Sequence, residues 1–236
     1  MGAFGQAASW LSESSHWWGP QGILERVSEH LQMCAVAMLV ASAVALPVGL
    51  VIGHRRRGEF LAVNAAGVGR ALPSFAVLAL VFPLSLRYHF PGPFGYWPTL
   101  VALVFLAVPP LITNAYVGVR NVDQDTVEAA RGMGMTERQL LLGLELPLAT
   151  PLLLETLRTV AVQVVATATL GAVLGWGGLG RFIVDGFATG DTGMLLGGAI
   201  VVAVLAIAVD GAFGTLGRLP PVKRVSVART RGGDKG

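Results

Sequence analysis

The longest segment that mixes charged residues with a helical spacing of apolar residues is 121–148, between two long apolar stretches. Asp123 or Asp125 can cap the start of a helix there, and Glu128 in the first turn complements the positive end of the helix dipole. The chain shows neither the clustered ligands of a metal site nor the spacing of a nucleophile and its base. The sequence therefore points to no catalytic residue.

Two glycines divide this segment into two predicted helices. Gly132 and Gly134 interrupt the first helix where a bend would turn the chain, and Thr136 with Glu137 can open the second. Pro147 marks the return to apolar sequence. The pattern predicts a helix–turn–helix elbow.

Other polar side chains lie inside the apolar stretches. Placing a polar group at membrane depth costs free energy, so these residues are candidates for function. Glu155 and Arg158 stand three residues apart on one helix face, so they can form an ion pair near a gate or contact a solute. Arg70 and Asn114 precede and follow prolines in other stretches, and Trp176 offers an aromatic face to a cation. These five are candidate pathway or gate residues, and packing between helices is the ordinary alternative for each.

The composition indicates the class of protein whose helices or strands must position these residues. The 236 residues are 53% hydrophobic and 13% charged, with a formal net charge of +3. Soluble domains average about 25% charged residues, so a water-soluble globule is excluded. A disordered chain would be richer in charge, and a single cysteine, Cys34, excludes a disulfide scaffold.

Five apolar stretches are long enough to cross a hydrocarbon core of about 30 Å, at approximately 31–53, 61–86, 99–119, 150–175 and 193–216. Their backbones must satisfy their own hydrogen bonds, and barrel-like alternation is absent, so we predict helices. The expected fold is an all-α, polytopic membrane protein. Its expected parts are an extracytoplasmic or interfacial segment 1–22, a transmembrane domain 23–217 with a loop at 121–148, and a basic tail 218–236.

The basic residues indicate the orientation of the five predicted spans. One set of loops and the tail carry 12 Lys and Arg residues, whereas the opposite set carries only Arg26, Arg87 and Arg181. This bias places the N-terminus outside and the C-terminus in the cytoplasm. The basic tail is explained by topology and by contact with anionic membrane lipid, so no nucleic acid is needed as a partner.

The segment EAARGMGMTERQLLLGLELP resembles the EAA signature of ATP-binding-cassette importer permeases. The positions that match it are Glu128, Ala129, Ala130, Gly134, Leu144, Leu146 and Pro147, with Leu144 standing where isoleucine is commonest. The resemblance implies a five-helix permease bundle of the type I importers in a prokaryotic plasma membrane. It also implies that the loop forms a coupling helix in a cleft of an ATPase subunit, with the glycine making the bend.

Three further segments resemble permeases for glycine betaine and related quaternary amines. They are EHLQ with the span that follows it, RALPSFAVLALVFPL, and LGAVLGWGGLGRFIVDGF with its glycine-rich turn and short extracellular helix. The resemblance implies separate partner chains: ATPase subunits that use ATP and magnesium, a second permease copy or paralogue, and an extracytoplasmic binding protein. The chain has no phosphate-binding loop of its own, because neither Lys223 nor Lys235 follows a glycine-rich turn.

The sequence leaves other functions open. The solute can be glycine betaine, choline, carnitine or another small solute such as an amino acid. An autonomous ion-coupled carrier or channel would need a relay of carboxylates or histidines inside the spans, and the spans hold only Glu155 and Asp210 as acids. A membrane-embedded enzyme has no supporting motif.

Overall fold

The computed structural model of the chain describes residues 2–56, 60, 64, 67 and 74–216, and these residues form helices and turns without a strand. The α-helices are α1 (Ala3–Ser12), α2 (Ile23–Arg55), α3 (Ser74–Arg87), α4 (Tyr96–Arg120), α5 (Gln124–Gly132), α6 (Glu137–Leu140), α7 (Leu146–Ala168), α8 (Gly180–Thr189) and α9 (Thr192–Leu216). A π-helical turn, Leu141–Glu145, joins α6 to α7. Short 3₁₀ segments follow α1 and α7, at Ser14–His16 and Thr169–Leu174.

Within this part of the chain, four helices are long and apolar enough to cross a membrane: α2, α4, the continuous run Glu137–Leu174, and α9. They correspond to the first, third, fourth and fifth predicted spans. Of the second predicted span, 61–86, the structure describes mainly α3, which has 14 residues. The candidate Arg70 lies outside the described residues. The all-helical membrane fold is confirmed, and the count of five stays a prediction.

The first predicted span, 31–53, lies within a longer helix, and its bounds stay a prediction. The helix α2 has 33 residues and starts at Ile23. Its additional first turns carry charged residues, two of which pair with each other. Arg26 Nη1 donates to Glu29 Oε2 at 2.8 Å. A helix of this length reaches about 50 Å, so α2 extends beyond the hydrocarbon core.

The centre of the bundle is the contact between α2 and α4. One face of α2 presents only small residues, four apart, which are Ala37, Ala41, Ala45, Gly49 and Gly53, all buried. At Gly49 a β-carbon would lie 2.6 Å from the backbone oxygen of Ile112 in α4. Small residues at this spacing let two membrane helices approach closely, as in other transmembrane bundles.

The N-terminal segment forms a helix that packs on the bundle. Trp10 of α1 is buried and meets Phe182 of α8 edge to face, with ring centroids 5.3 Å apart. Both rings belong to a cluster that includes Val202 of α9. The helix α7 packs against both α4 and α9. The helix α7 thus connects the elbow at 121–148 to the interior of the bundle.

Candidate functional site

The elbow at 121–148 is built from two capped helices. Asp123 caps α5, because its carboxylate accepts from the Asp125 amide at 3.4 Å and from the Thr126 hydroxyl at 3.1 Å. Thr136 caps α6 in a reciprocal capping box with Gln139. Both predicted helix starts are confirmed, with Asp123 in the capping role.

The bend between the two helices depends on one backbone conformation. The helix α5 ends at Gly132, and Gly134 has a φ of +90°, in the region that favours glycine. A β-carbon on Gly134 would meet nothing within 4 Å, so the requirement for glycine is conformational rather than steric. Met133, between the two glycines, is 78% exposed at the tip of the elbow.

The elbow has an inner and an outer face. Ala130 is buried in a cluster that also contains Val122, Val127 and Leu140. Leu144, Leu146 and Pro147 are half-buried, whereas Glu128 and Ala129 are exposed on the other face. The seven positions that match the signature therefore divide into residues that hold the elbow together and residues that face outward. The outward face can contact another protein through a carboxylate, a methyl group and the Met133 thioether.

A series of polar contacts between ionisable side chains links the elbow to α2. Arg131 Nε and Nη2 donate to the two carboxylate oxygens of Glu137 at 3.0 and 3.1 Å. The Glu137 carboxylate, by accepting these bonds, raises the pKa of Arg131. A second Glu137 contact joins its Oε2 to His54 Nε2 of α2 at 3.2 Å. His54 Nδ1 lies 2.5 Å from Oε2 of the buried Glu145.

The candidate residues Glu155 and Arg158 belong to a larger group. Arg158 Nε and Nη2 donate to the two oxygens of Asp210 in α9, each at 2.7 Å. Glu155 Oε2 lies farther from Arg158, at 3.7 Å. Arg158 therefore joins α7 to α9 through Asp210, and its pairing with Glu155 is the weaker contact.

Three polar residues of α7 are exposed at intervals of four: Glu155, Thr159 and Gln163. They follow one stripe along a helix that belongs to a candidate span. Polar groups at membrane depth face protein or water rather than lipid. This stripe is therefore a surface that the isolated chain leaves uncovered.

The remaining candidates lie elsewhere in the bundle. Asn114 is half-buried on α4. Trp176 is 5% exposed and packs in the central core. Its ring centroid is 6.3 Å from that of His30, in a tilted arrangement. Trp176 thus lies among core residues, with little of its surface open to a solute.

Two of the segments singled out by sequence contact each other. His30 Nε2 lies 2.9 Å from the Val165 carbonyl oxygen, and the Leu179 amide donates to His30 Nδ1 at 3.4 Å. Glu29 Oε2 accepts from the Gly178 amide at 2.8 Å. The EHLQ segment therefore anchors the glycine-rich turn that precedes α8, although the sequence contained no sign of this contact.

Residues 45–218 match the family of binding-protein-dependent transport system inner membrane components. A carnitine transport permease protein of Listeria monocytogenes is 36% identical over 89% of this chain and 93% of its own length. A choline transport system permease protein of Bacillus subtilis (strain 168) is 33% identical over 80% of this chain and 83% of its own. An osmoprotectant import permease protein of Salmonella typhimurium is 31% identical over 77% of this chain and 84% of its own length.

Solved structures share the fold. A chain of a methionine ABC transporter in an inward-facing conformation superposes with a TM-score of 0.72 at 22% identity, over 83% of this chain and 95% of its own. A chain of an amino acid ABC transporter superposes with a TM-score of 0.63 at 18% identity, over 83% of this chain and 90% of its own.

Proposed function

Since the chain belongs to the family of binding-protein-dependent transport system inner membrane components, we propose that it is the permease subunit of an ATP-driven importer for a quaternary-amine osmoprotectant. The observation that carries this proposal is the elbow, whose glycine bend and capped helices present Glu128 and Ala129 to a partner. The names of relatives that transport choline or carnitine support the solute class.

The elbow docks an ATPase subunit on the cytoplasmic side. Glu128, Ala129 and Met133 form the contact surface, and Gly134 sets the angle between α5 and α6. Ala130 and Leu144 pack inside the elbow, so a force on its outer face reaches the π-helical turn and α7. Leu146 and Pro147 lie where that turn becomes the membrane helix. ATP and magnesium are used by the partner ATPase.

A second permease, either a copy or a paralogue, covers the polar stripe of α7. Glu155, Thr159 and Gln163 are compatible with a water-containing passage between two permeases. The Arg158 and Asp210 pair links α7 to α9, so the two helices move together when the passage opens. Asn114, Trp176 and Arg70 remain candidate pathway residues on this proposal.

The cycle follows from alternating access. ATP binding closes the ATPase subunits, the elbow moves with them, and the bundle opens toward the extracytoplasmic binding protein that delivers the solute. Hydrolysis resets the bundle. This orientation has the N-terminus outside and the basic tail 218–236 in the cytoplasm, against anionic lipid.

Reconstitution of the permease with its ATPase and binding protein in vesicles tests the proposal. We expect accumulation of glycine betaine, choline or carnitine that requires both ATP and the binding protein. Accumulation of an amino acid alone would contradict the solute class but leave an importer. Accumulation driven by an ion gradient without the ATPase would instead show an autonomous carrier.

A further inference from the structure

A buried histidine and carboxylate join the first membrane helix to the elbow. His54 is the last residue but one of α2, and its Nδ1 lies 2.5 Å from Glu145 Oε2. The Glu145 side chain is 2% exposed and that of His54 is 12% exposed. A buried carboxylate is costly unless it is paired, so this contact is strongly held.

The second ring nitrogen of His54 extends the link. Nε2 lies 3.2 Å from Glu137 Oε2, and Glu137 holds Arg131 through two hydrogen bonds. One imidazole therefore connects α2 to the π-helical turn, to α6 and, through Arg131, to α5. The other charged side chains around the same cavity of about 610 Å³ are Arg55, Arg56 and Arg138.

The positions of the two partners favour transmission of movement. Glu145 lies in the π-helical turn between α6 and α7, and such turns frequently occur at functional sites. On the other side, Gly53 is packed so closely on α4 that a β-carbon would lie 2.9 Å from the Tyr116 backbone oxygen. A displacement of the elbow at Glu145 is thus transferred by His54 to the tightly packed pair of α2 and α4.

We propose that His54 is a positioning residue of the transport cycle, which ties α2 to the elbow through Glu145 so that movement of the elbow by the ATPase carries α2 with it. The proposal rests on the proposed function, because it needs an ATPase that acts on the elbow. His54 and Glu137 lie outside the importer signature, and Glu145 occupies one of its unspecified positions.

Two isosteric variants distinguish the contacts that the two ring nitrogens of His54 make. In His54→Asn the amide nitrogen takes the place of Nδ1 and keeps the bond to Glu145, whereas in His54→Gln it takes the place of Nε2 and keeps only the contact to Glu137. The readout is the number of solute molecules accumulated per ATP hydrolysed by the complete transporter in vesicles. We expect His54→Gln to lower this ratio by about tenfold and His54→Asn to retain it within about twofold.

A structural role alone would not give this pattern. We expect the KM for the solute to stay at the parental value in both variants, and the ATPase rate of the complex to persist. Arg55→Gln is the matched control, because Arg55 is adjacent, exposed and without an ion pair among the described residues. It should keep the parental ratio.

The outcomes are distinct. A parental ratio in His54→Gln, or equal losses in His54→Gln and His54→Asn, would overturn the role of the Glu145 contact. If His54→Gln does not reach the membrane, Glu145→Gln decides: we expect a loss of about threefold, and a parental ratio again overturns the proposal. Failure of the parental chain to use ATP would instead refute the proposed function.

Discussion

The requirement for glycine at the Gly134 bend can be tested by a substitution that adds one methyl group. Gly134 has a φ of +90°, whereas Gly132, two residues earlier, is not in the positive-φ region. Neither position has an atom within 4 Å of an added β-carbon, so an alanine at either site meets no steric clash. Only the substitution at Gly134 therefore places a side chain in a strained backbone conformation.

The size of the effect follows from that strain. An L-residue in the left-handed region costs about 1–2 kcal/mol, which shifts the elbow away from its bent conformation. If the ATPase binds only the bent elbow, Gly134→Ala should weaken its binding by about 5- to 30-fold. Gly134→Asn should fall between alanine and the parental chain, because asparagine tolerates positive φ better. Gly132→Ala should leave binding unchanged, since alanine is favoured at a helical position.

The assay is a titration of the purified ATPase against the permease in lipid nanodiscs, accompanied by ATP-driven uptake in vesicles. Uptake should fall in the same order as affinity, and the amount of inserted permease should not change. Equal affinity for Gly134→Ala and the parental chain would refute the reasoning. A loss in Gly132→Ala as large as that in Gly134→Ala would also refute it, because strain would then not be the cause.

Three further perturbations follow from the structure. A cysteine at Gln163 should react with a water-soluble thiol reagent in the assembled transporter. A cysteine at Leu39, which is 70% exposed on α2, should face lipid and stay unreactive. Equal reaction rates at the two positions would contradict a water-containing passage along α7. Removing Arg158 alone should lower the melting temperature by a few degrees, because Asp210 keeps an uncompensated charge. Replacing both residues by leucine should recover part of this loss. A double variant whose melting temperature is no higher than that of the single variant would contradict the pairing. Glu128→Lys should abolish ATPase binding. Because Glu128 is exposed, the substitution should not change the melting temperature, which circular dichroism can follow. Unaltered ATPase binding would show that Glu128 is not part of the contact surface.

Much of the fold could be predicted because membrane helices depend on local composition. Runs without charge identified α4 and α9 to within a few residues of their ends. The elbow was also predictable, since the caps at Asp123 and Thr136 and the bend at Gly134 are properties of neighbouring residues. The start of α2 was not predictable in this way, because its first turns are held by distant residues: Glu29 Oε2 accepts from the Gly178 amide, and His30 Nε2 lies 2.9 Å from the Val165 carbonyl oxygen.

The contacts that organise the site could not be predicted in the same way. His54 and Glu145 are 91 residues apart, and Arg158 and Asp210 are 52 apart. Pairs of this kind exist only after the helices have packed. The sequence placed Arg158 beside Glu155 because they are three residues apart, whereas the fold offers it a bidentate partner on another helix. The only available signal was that each residue is ionisable and lies next to or inside an apolar span.

Cross-linking of the elbow to the ATPase tests the central claim most directly. Met133 is 78% exposed at the tip of the elbow, and Trp18, which we place on the opposite side of the membrane, is 72% exposed. In the complete transporter, a cysteine at Met133 should cross-link to the ATPase subunit, and a cysteine at Trp18 should not. A Met133 cysteine that never cross-links to the ATPase, or a Trp18 cysteine that does so as readily, would contradict the assignment of the elbow as the ATPase-coupling surface.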